Sequence, residues 1–335
     1  MNEFNKIAVS LLPVFIFLGA LIVFDSYKLV KLRSVLLTIL MGCIVAGICL
    51  FVNSGLTRLL SLELKLYTRY VAPIAEELLK ALYLVYLIKS EKVGFMVDAA
   101  IYGFAIGAGF AFIENIFYLQ KLEGAHVLVW IVRGFGTAVM HGTTTAIFGM
   151  ISKNLSDKYS SKQVHIFWAG LAAAILLHSF YNHFFLPPIL ITICFVIGLP
   201  LVIVFVFDLS EQATRKWLGV GFDTDVDLLE VITTGDILES RIGKYLESLK
   251  SRFPGAVVAD MLCYLRLHLE LAVRAKGILL MRQSGFDPAS NPEIKTKFNE
   301  LKYLQKSIGK TGKLAILPFL RTSSRDLWQL YLIDK

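Results

Sequence analysis

Charge is scarce in this chain. Only 18% of its 335 residues are charged and 56% are hydrophobic, whereas about a quarter of the residues of a soluble domain are charged. This composition excludes an intrinsically disordered chain and indicates a protein that lies in a lipid bilayer.

Cysteine is scarce as well. The four cysteines, Cys43, Cys49, Cys194 and Cys263, contain no CxxC pair. Four cysteines in a chain of this length exclude a disulfide scaffold. The first three lie in apolar runs, where a cysteine usually serves as a small packing residue, so none of them indicates a redox or zinc motif.

A concentrated basic surface is also missing. The net charge of +8 is spread along the chain, with 15 Lys and Arg against 11 Asp and Glu in residues 1–208, and 19 against 15 in residues 209–335. No basic stripe is interleaved with aromatic residues, so we expect no binding of nucleic acid.

What the sequence has instead is long apolar runs. A bilayer-spanning helix needs about 20 mostly apolar residues. The sequence therefore predicts an all-α, polytopic membrane bundle of about seven transmembrane helices. These run approximately over Ile7–Phe24, Val35–Val52, Tyr70–Ile88, Phe95–Leu119, Val127–Ile151, His165–Phe185 and Ile189–Phe207.

The charges between these runs predict an orientation. Lys and Arg are more frequent in the segments after the first, third and fifth runs, which places the N-terminus outside and the C-terminus in the cytoplasm of a bacterial-type plasma membrane. The composition becomes polar after Phe207, with helical periodicity and breaks at Pro254-Gly255 and from Gly285 to Pro292. We expect a transmembrane bundle over residues 1–208. A soluble helical domain over residues 209–335 would follow, with an unidentified cytoplasmic partner.

Polar residues interrupt the third to sixth runs. A charged side chain at the centre of a bilayer costs about 2.5 to 3.5 kcal/mol, so such residues mark a functional site by default. Lys80 could neutralise part of the Glu76 and Glu77 pair, which would be a structural role, but this leaves two carboxylates without a cation. The polar residues are Glu76, Glu77, Lys80, Glu114, Asn115, His141, His178 and Asn182.

Spacing predicts that these residues meet. Residues four apart share one face of a helix, as Phe110 and Glu114 do. His178 and Asn182 share a face of a second helix, and Glu76 and Lys80 share a face of a third. Three helices could thus present polar groups to one cavity below the membrane surface.

The residue types favour hydrolysis by water. No serine or cysteine nucleophile lies beside a His and an Asp, whereas a carboxylate can be a general base and His and Asn can donate to an oxyanion. We expect Glu76 to activate the water near Glu114 without a cofactor, and His178 with Asn182 to form the oxyanion site. A zinc ion held by Glu114, His141 and His178 is the alternative, although HExxH is absent.

Four motifs follow one another along the chain: Glu76-Glu77-x-x-Lys80, Phe110-x-x-x-Glu114-Asn115, His141 with seven residues before Gly149, and His178-x-x-x-Asn182. In this order they resemble the pattern of the PrsW family of intramembrane proteases, which are similar to the CAAX-processing endopeptidases and their bacterial relatives.

The resemblance covers about residues 65–190 and implies a membrane-embedded protease whose substrate is a membrane-anchored protein, such as an anti-sigma factor. Members of the family have been described as glutamic and as metal-dependent peptidases. The resemblance also implies a set of site residues, which are Glu76, Glu77, Glu114, His141, His178 and Asn182, and a set of supporting residues, which are Lys80, Phe110 and Asn115.

Two other functions use the same residue types. Intramembrane Glu and His are parts of proton relays, so a proton-coupled transporter or carrier is one alternative, which an inverted repeat would favour. A non-catalytic membrane scaffold that keeps the same fold is the other.

Overall fold

The computed structural model of the protein describes residues 15–23, 25, 30–121, 127–159, 163–234, 237, 239–286 and 293–320, without the side chains of residues 119–121, 127 and 133. Every regular element in these ranges is helical. The predicted first span, Ile7–Phe24, lies mostly outside them, and residues 15–23 of it are helical. The chain divides into two compact units, Met1–Ser210 and Glu211–Lys335.

The first unit is built from apolar helices, several of which begin with a wider π-helical turn. The helices are α1 (Leu32–Leu60), α2 (Ala72–Lys89), α3 (Met96–Lys121), α4 (Thr137–Lys158), α5 (Trp168–His183), α6 (Pro188–Ile193) and α7 (Leu199–Thr233), the last of which continues into the second unit. The π-helical segments are Tyr67–Val71 before α2, Trp130–Gly136 before α4 and Cys194–Gly198 before α7. Short helical pieces occur at Leu64–Leu66, Val127–Val129 and Val164–Phe167.

Four of the described helical segments are long and apolar enough to cross a bilayer: Leu32–Leu60, Met96–Tyr118, Val164–His183 and Pro188–Thr233. Helix α2 is as long as a short span, but its 18 residues include the charged side chains of Glu76, Glu77, Lys80 and Lys89. The chain is therefore an integral membrane protein. The count of seven spans stays a prediction.

Helix α3 is the centre of the first unit. Every residue from Ala99 to Ala111 is buried, and α3 packs against α1 on one side and α4 on another. Glycine residues of α3 allow its backbone to approach that of α4 closely. A Cβ atom on Gly103 would lie 2.5 Å from the Thr145 carbonyl oxygen, and one on Gly107 would lie 2.2 Å from that of His141. Only glycine fits at such distances.

The second unit packs helices α8 (Arg241–Leu249), α9 (Gly255–Gln283) and α10 (Glu293–Ile316) with the end of α7. Ser240 caps α8, because its hydroxyl accepts a hydrogen bond from the Gly243 N–H at 3.1 Å. Helix α10 bends at Gly309, where φ is 66°. The apolar core includes Met261, Leu265, Leu301, Leu304 and Ile308.

The second unit also contains a buried ion pair. The Lys276 ammonium donates to Asp225 Oδ2 at 2.6 Å and to the Gly221 carbonyl oxygen at 2.9 Å. His268 is buried nearby on α9, and burial lowers the pKa of its imidazole to about 4. At neutral pH His268 is therefore uncharged.

Candidate active site

A cavity of about 630 Å³ opens in the first unit, between α1, α2, α3, α4, α5 and the π-helical segment before α2. The polar residues expected from the sequence divide into two groups around it. Those that line the cavity are Glu76, Glu114, His141, His178 and Asn182, together with the ring of Phe110. Glu77 and Lys80 are buried behind its wall.

Glu77 and Lys80 form a fully enclosed ion pair. The Lys80 ammonium donates to Glu77 Oε1 at 2.5 Å, and neither side chain is more than 1% exposed. Thr144 of α4 donates to the same oxygen at 3.4 Å. A buried ion pair needs further hydrogen bonds to offset its desolvation, and both members of this one also bind a histidine.

His178 is oriented by Glu77. Its Nδ1 lies 2.7 Å from Glu77 Oε1. Because a carboxylate only accepts, this nitrogen carries the proton. In the neutral ring the other nitrogen, Nε2, has a lone pair, and it lies 3.9 Å from Glu76 Oε2. Such a carboxylate–histidine arrangement fixes the tautomer of metal-binding histidines.

His141 is held from both sides. The Lys80 ammonium lies 3.1 Å from its Nδ1, and an ammonium can only donate, so Nδ1 is the acceptor. Its Nε2 then donates to Glu114 Oε2 at 2.9 Å. The ring packs against those of Phe110 and His178, both with centroids 4.8 Å away.

Glu76 is bound by Asn53, which Tyr67 binds in turn, and neither residue is predicted from the sequence. The Asn53 amide donates to Glu76 Oε1 at 3.0 Å, and the Tyr67 hydroxyl donates to Asn53 Oδ1 at 2.8 Å. Asn53 directly follows the apolar run that ends at Val52, and this abrupt polar residue is the signal that could have identified it. Tyr67 offers no comparable signal.

Asn182 binds the π-helical segment before α2. Its amide donates to the Thr68 carbonyl oxygen at 3.0 Å, and the Ser179 hydroxyl donates to the Arg69 carbonyl oxygen at 2.6 Å. Arg69 donates in turn to the His183 carbonyl oxygen at 3.1 Å. A π-helical turn often marks a functional site, and this one ties the end of α5 to the start of α2.

Asn115 lies outside the cavity lining. It is buried, and its amide donates to the Gly134 carbonyl oxygen at 3.3 Å. It therefore ties α3 to the π-helical segment before α4, next to Glu114 in sequence but on another side of the helix.

Glu76, His141 and His178 could hold a metal ion. One potential ligand atom of each lies within 4.8 Å of the other two, and all three residues are buried. Two imidazole nitrogens and one carboxylate oxygen are a donor set that zinc accepts, leaving a fourth position open. The zinc alternative predicted from the sequence has Glu114 as its carboxylate, whereas the structure brings Glu76 together with the two histidines.

One of three comparisons with known proteins finds a match. A family model described as PrsW family intramembrane metalloprotease matches residues 31–208, which is more than half of the chain and includes every site residue named above. A search of curated proteins and a search of solved structures found no match. This family match, together with the membrane helices and the buried polar site, identifies the chain as a member of the PrsW family of intramembrane metalloproteases.

Proposed function

We propose that the protein hydrolyses a peptide bond of a membrane-anchored protein in the cavity between α1, α2, α3, α4 and α5. The observation that supports this best is the convergence of Glu76, His141 and His178 at the cavity wall. Two histidines with fixed tautomers and two cavity-lining carboxylates are typical of a hydrolase that uses water as its nucleophile.

Glu76, His141 and His178 would hold a zinc ion. Zinc supplies a Lewis acid for the scissile carbonyl group and makes a bound water molecule nucleophilic at neutral pH. The lone pair on His178 Nε2 supports this assignment, because Glu77 holds the proton on the other nitrogen. His141 would bind the ion through Nε2, since Lys80 occupies Nδ1, and Nε2 would then give up the proton that it donates to Glu114.

Glu114 is then the general base. It lines the cavity and lies 2.9 Å from His141 Nε2, so it is the second carboxylate within reach of a substrate. It accepts the proton of the attacking water and passes it to the leaving amine. Asn182 is placed to donate to the developing oxyanion, because its amide carries two N–H bonds and Thr68 accepts one.

The buried pair of Glu77 and Lys80 positions the two histidines and does not touch the substrate. Each member binds one imidazole, so the pair sets both ring orientations at once. Partners of this kind typically contribute 10- to 100-fold in metal affinity or activity.

Zinc content and cleavage, measured on the same preparations, test these roles. Wild type, Glu76→Gln and Glu114→Gln are purified as full-length protein and assayed on a membrane-anchored reporter. We expect about one zinc ion per chain in wild type, loss of both zinc and cleavage in Glu76→Gln, and loss of cleavage with zinc retained in Glu114→Gln. Glu63→Gln is the matched control, since Glu63 is exposed and outside the cavity lining.

An active wild-type protein that contains no ion would contradict the zinc assignment. Glu76 would then be the water-activating base, as the residue types alone suggest. Retention of full cleavage in both the Glu76→Gln and Glu114→Gln variants would contradict the proposed function itself.

The second unit is proposed to be a cytoplasmic, partner-binding domain outside the catalytic machinery. All cavity-lining residues precede Ser210, and the family match ends at residue 208. Protease added to sealed, right-side-out cells should leave residues 239–320 intact, and should digest them in inverted vesicles. Digestion of these residues in the intact cells would show that the protein has the opposite orientation in the membrane.

A further inference from the structure

The face of α1 that lines the cavity changes polarity along its length. Toward the middle of the helix it presents Ala46, Cys49 and Leu50, and toward its end it presents Ser54, Thr57 and Arg58. These positions recur at intervals of three to four residues and so share one side of the helix. The face is therefore apolar over roughly its first half and polar over the rest.

The change occurs at the level of the candidate catalytic residues. Asn53 lies between the two groups on α1, and its amide binds Glu76 at 3.0 Å. A polypeptide lying along α1 would thus have its apolar part on one side of Glu76 and its polar part on the other.

Arg58 carries the charge at the polar end. Its side chain is exposed, and among the described residues that line the cavity it is the one Lys or Arg. It lies five residues beyond Asn53 on the helix, a rise of about 7.5 Å. An extended peptide covers that distance in about two to three residues. The guanidinium group therefore faces the substrate a few residues away from the bond at Glu76.

We propose that Arg58 selects substrates in which an apolar segment is followed, two to four residues beyond the cleaved bond, by an acidic side chain. This inference rests on the proposed proteolytic function and names the class of substrate for that cavity. Guanidinium and carboxylate groups match in geometry and can form two parallel hydrogen bonds. The apolar residues before Asn53 accommodate the membrane-embedded part of the same substrate.

A charge-swap experiment tests the proposal. Full-length protein in nanodiscs is given three reporters that share one apolar segment and differ only in Glu, Gln or Lys at the third position beyond the cleaved bond. In wild type we expect kcat/KM for the Glu reporter to exceed that for the Lys reporter by about fivefold, mainly through KM, as for an exposed ion pair. Arg58→Glu should invert the order, and Arg58→Gln should abolish the preference.

Lys65→Glu provides the matched control. Lys65 is exposed close to the cavity in sequence but outside its lining, so this variant makes the same change of charge and should keep the wild-type preference. An inverted preference in Lys65→Glu as well would show a general field effect and overturn the role of Arg58.

The remaining outcomes separate this inference from the proposed function. Cleavage that depends on Glu76 but is equal for all three reporters refutes the selection by Arg58 and leaves the proteolytic function standing. An Arg58→Glu variant that loses activity equally on all three reporters would show that the guanidinium binds lipid headgroups or stabilises the fold. That outcome also refutes substrate selection by Arg58. Absence of any Glu76-dependent cleavage refutes both proposals together.

Discussion

Replacement of Gly107 by alanine should disable the site without touching a polar residue. The added Cβ would lie 2.2 Å from the carbonyl oxygen and 2.4 Å from the carbonyl carbon of His141, whereas ordinary contacts begin at 3.4 Å. The obstacle is backbone, which no rotamer change can move. The α4 backbone at His141 must therefore shift by about 1 Å, and a misplacement of that size can cost about 100-fold in rate.

The assay compares kcat/KM of Gly107→Ala with that of Gly47→Ala on the same reporter. A Cβ atom on Gly47 in α1 would meet none of the described neighbouring atoms within 4 Å, so alanine there should keep full activity and favour the helix by up to about 1 kcal/mol. Thermal unfolding of both variants shows whether the bundle still folds. A Gly107→Ala protein that is as active as wild type would refute the claim that the contact between α3 and α4 positions His141.

Three further outcomes follow from individual contacts. Asn53→Ala removes a hydrogen bond to Glu76 and should weaken zinc binding by about 10- to 100-fold in chelator competition; unchanged affinity would contradict this. Lys276→Met leaves Asp225 buried without its cation and should lower the free energy of unfolding by about 3 to 5 kcal/mol, measured by thermal unfolding. The double variant with Met at both Lys276 and Asp225 should lose less. The pKa of His268 is about 4 in the folded protein and 6.5 in an unperturbed imidazole. Between pH 4 and pH 6.5 the unfolded chain therefore binds more protons than the folded protein. Stability of the second unit, followed by hydrogen exchange of residues 255–283, should fall by up to about 3 kcal/mol as the pH drops from about 6.5 to about 4, and His268→Phe should remove that dependence.

The helical architecture follows directly from the sequence, because long apolar runs have one stable conformation in a bilayer. The run from Val35 to Val52 lies within α1, and the break at Pro254-Gly255 is where α9 begins. The π-helical segments could not be predicted in this way. Their residues, Tyr67–Val71 for example, have an ordinary composition, and the wider turn depends on the packing of neighbouring helices.

Helix periodicity predicts which faces carry polar groups but does not assign their partners. His178 and Asn182 both line the cavity, as do Phe110 and Glu114. Spacing alone allows Lys80 to pair with either Glu76 or Glu77. The structure pairs it with Glu77, and Asn53 from the neighbouring helix α1 binds Glu76.

The ion pair between Glu77 and Lys80 also bears on how the protein is made. Synthesis proceeds from the N-terminus, so α2 reaches the membrane before the helices that carry His141 and His178 have been translated. Each lone charge would oppose its insertion by about 2.5 to 3.5 kcal/mol. Since the two residues are three positions apart on one helix, they can neutralise each other at once. On the predicted topology, in which α2 spans the bilayer, the pair lets α2 enter it while the two histidines are still missing, and Glu76 can bind Asn53 of α1, which is already translated.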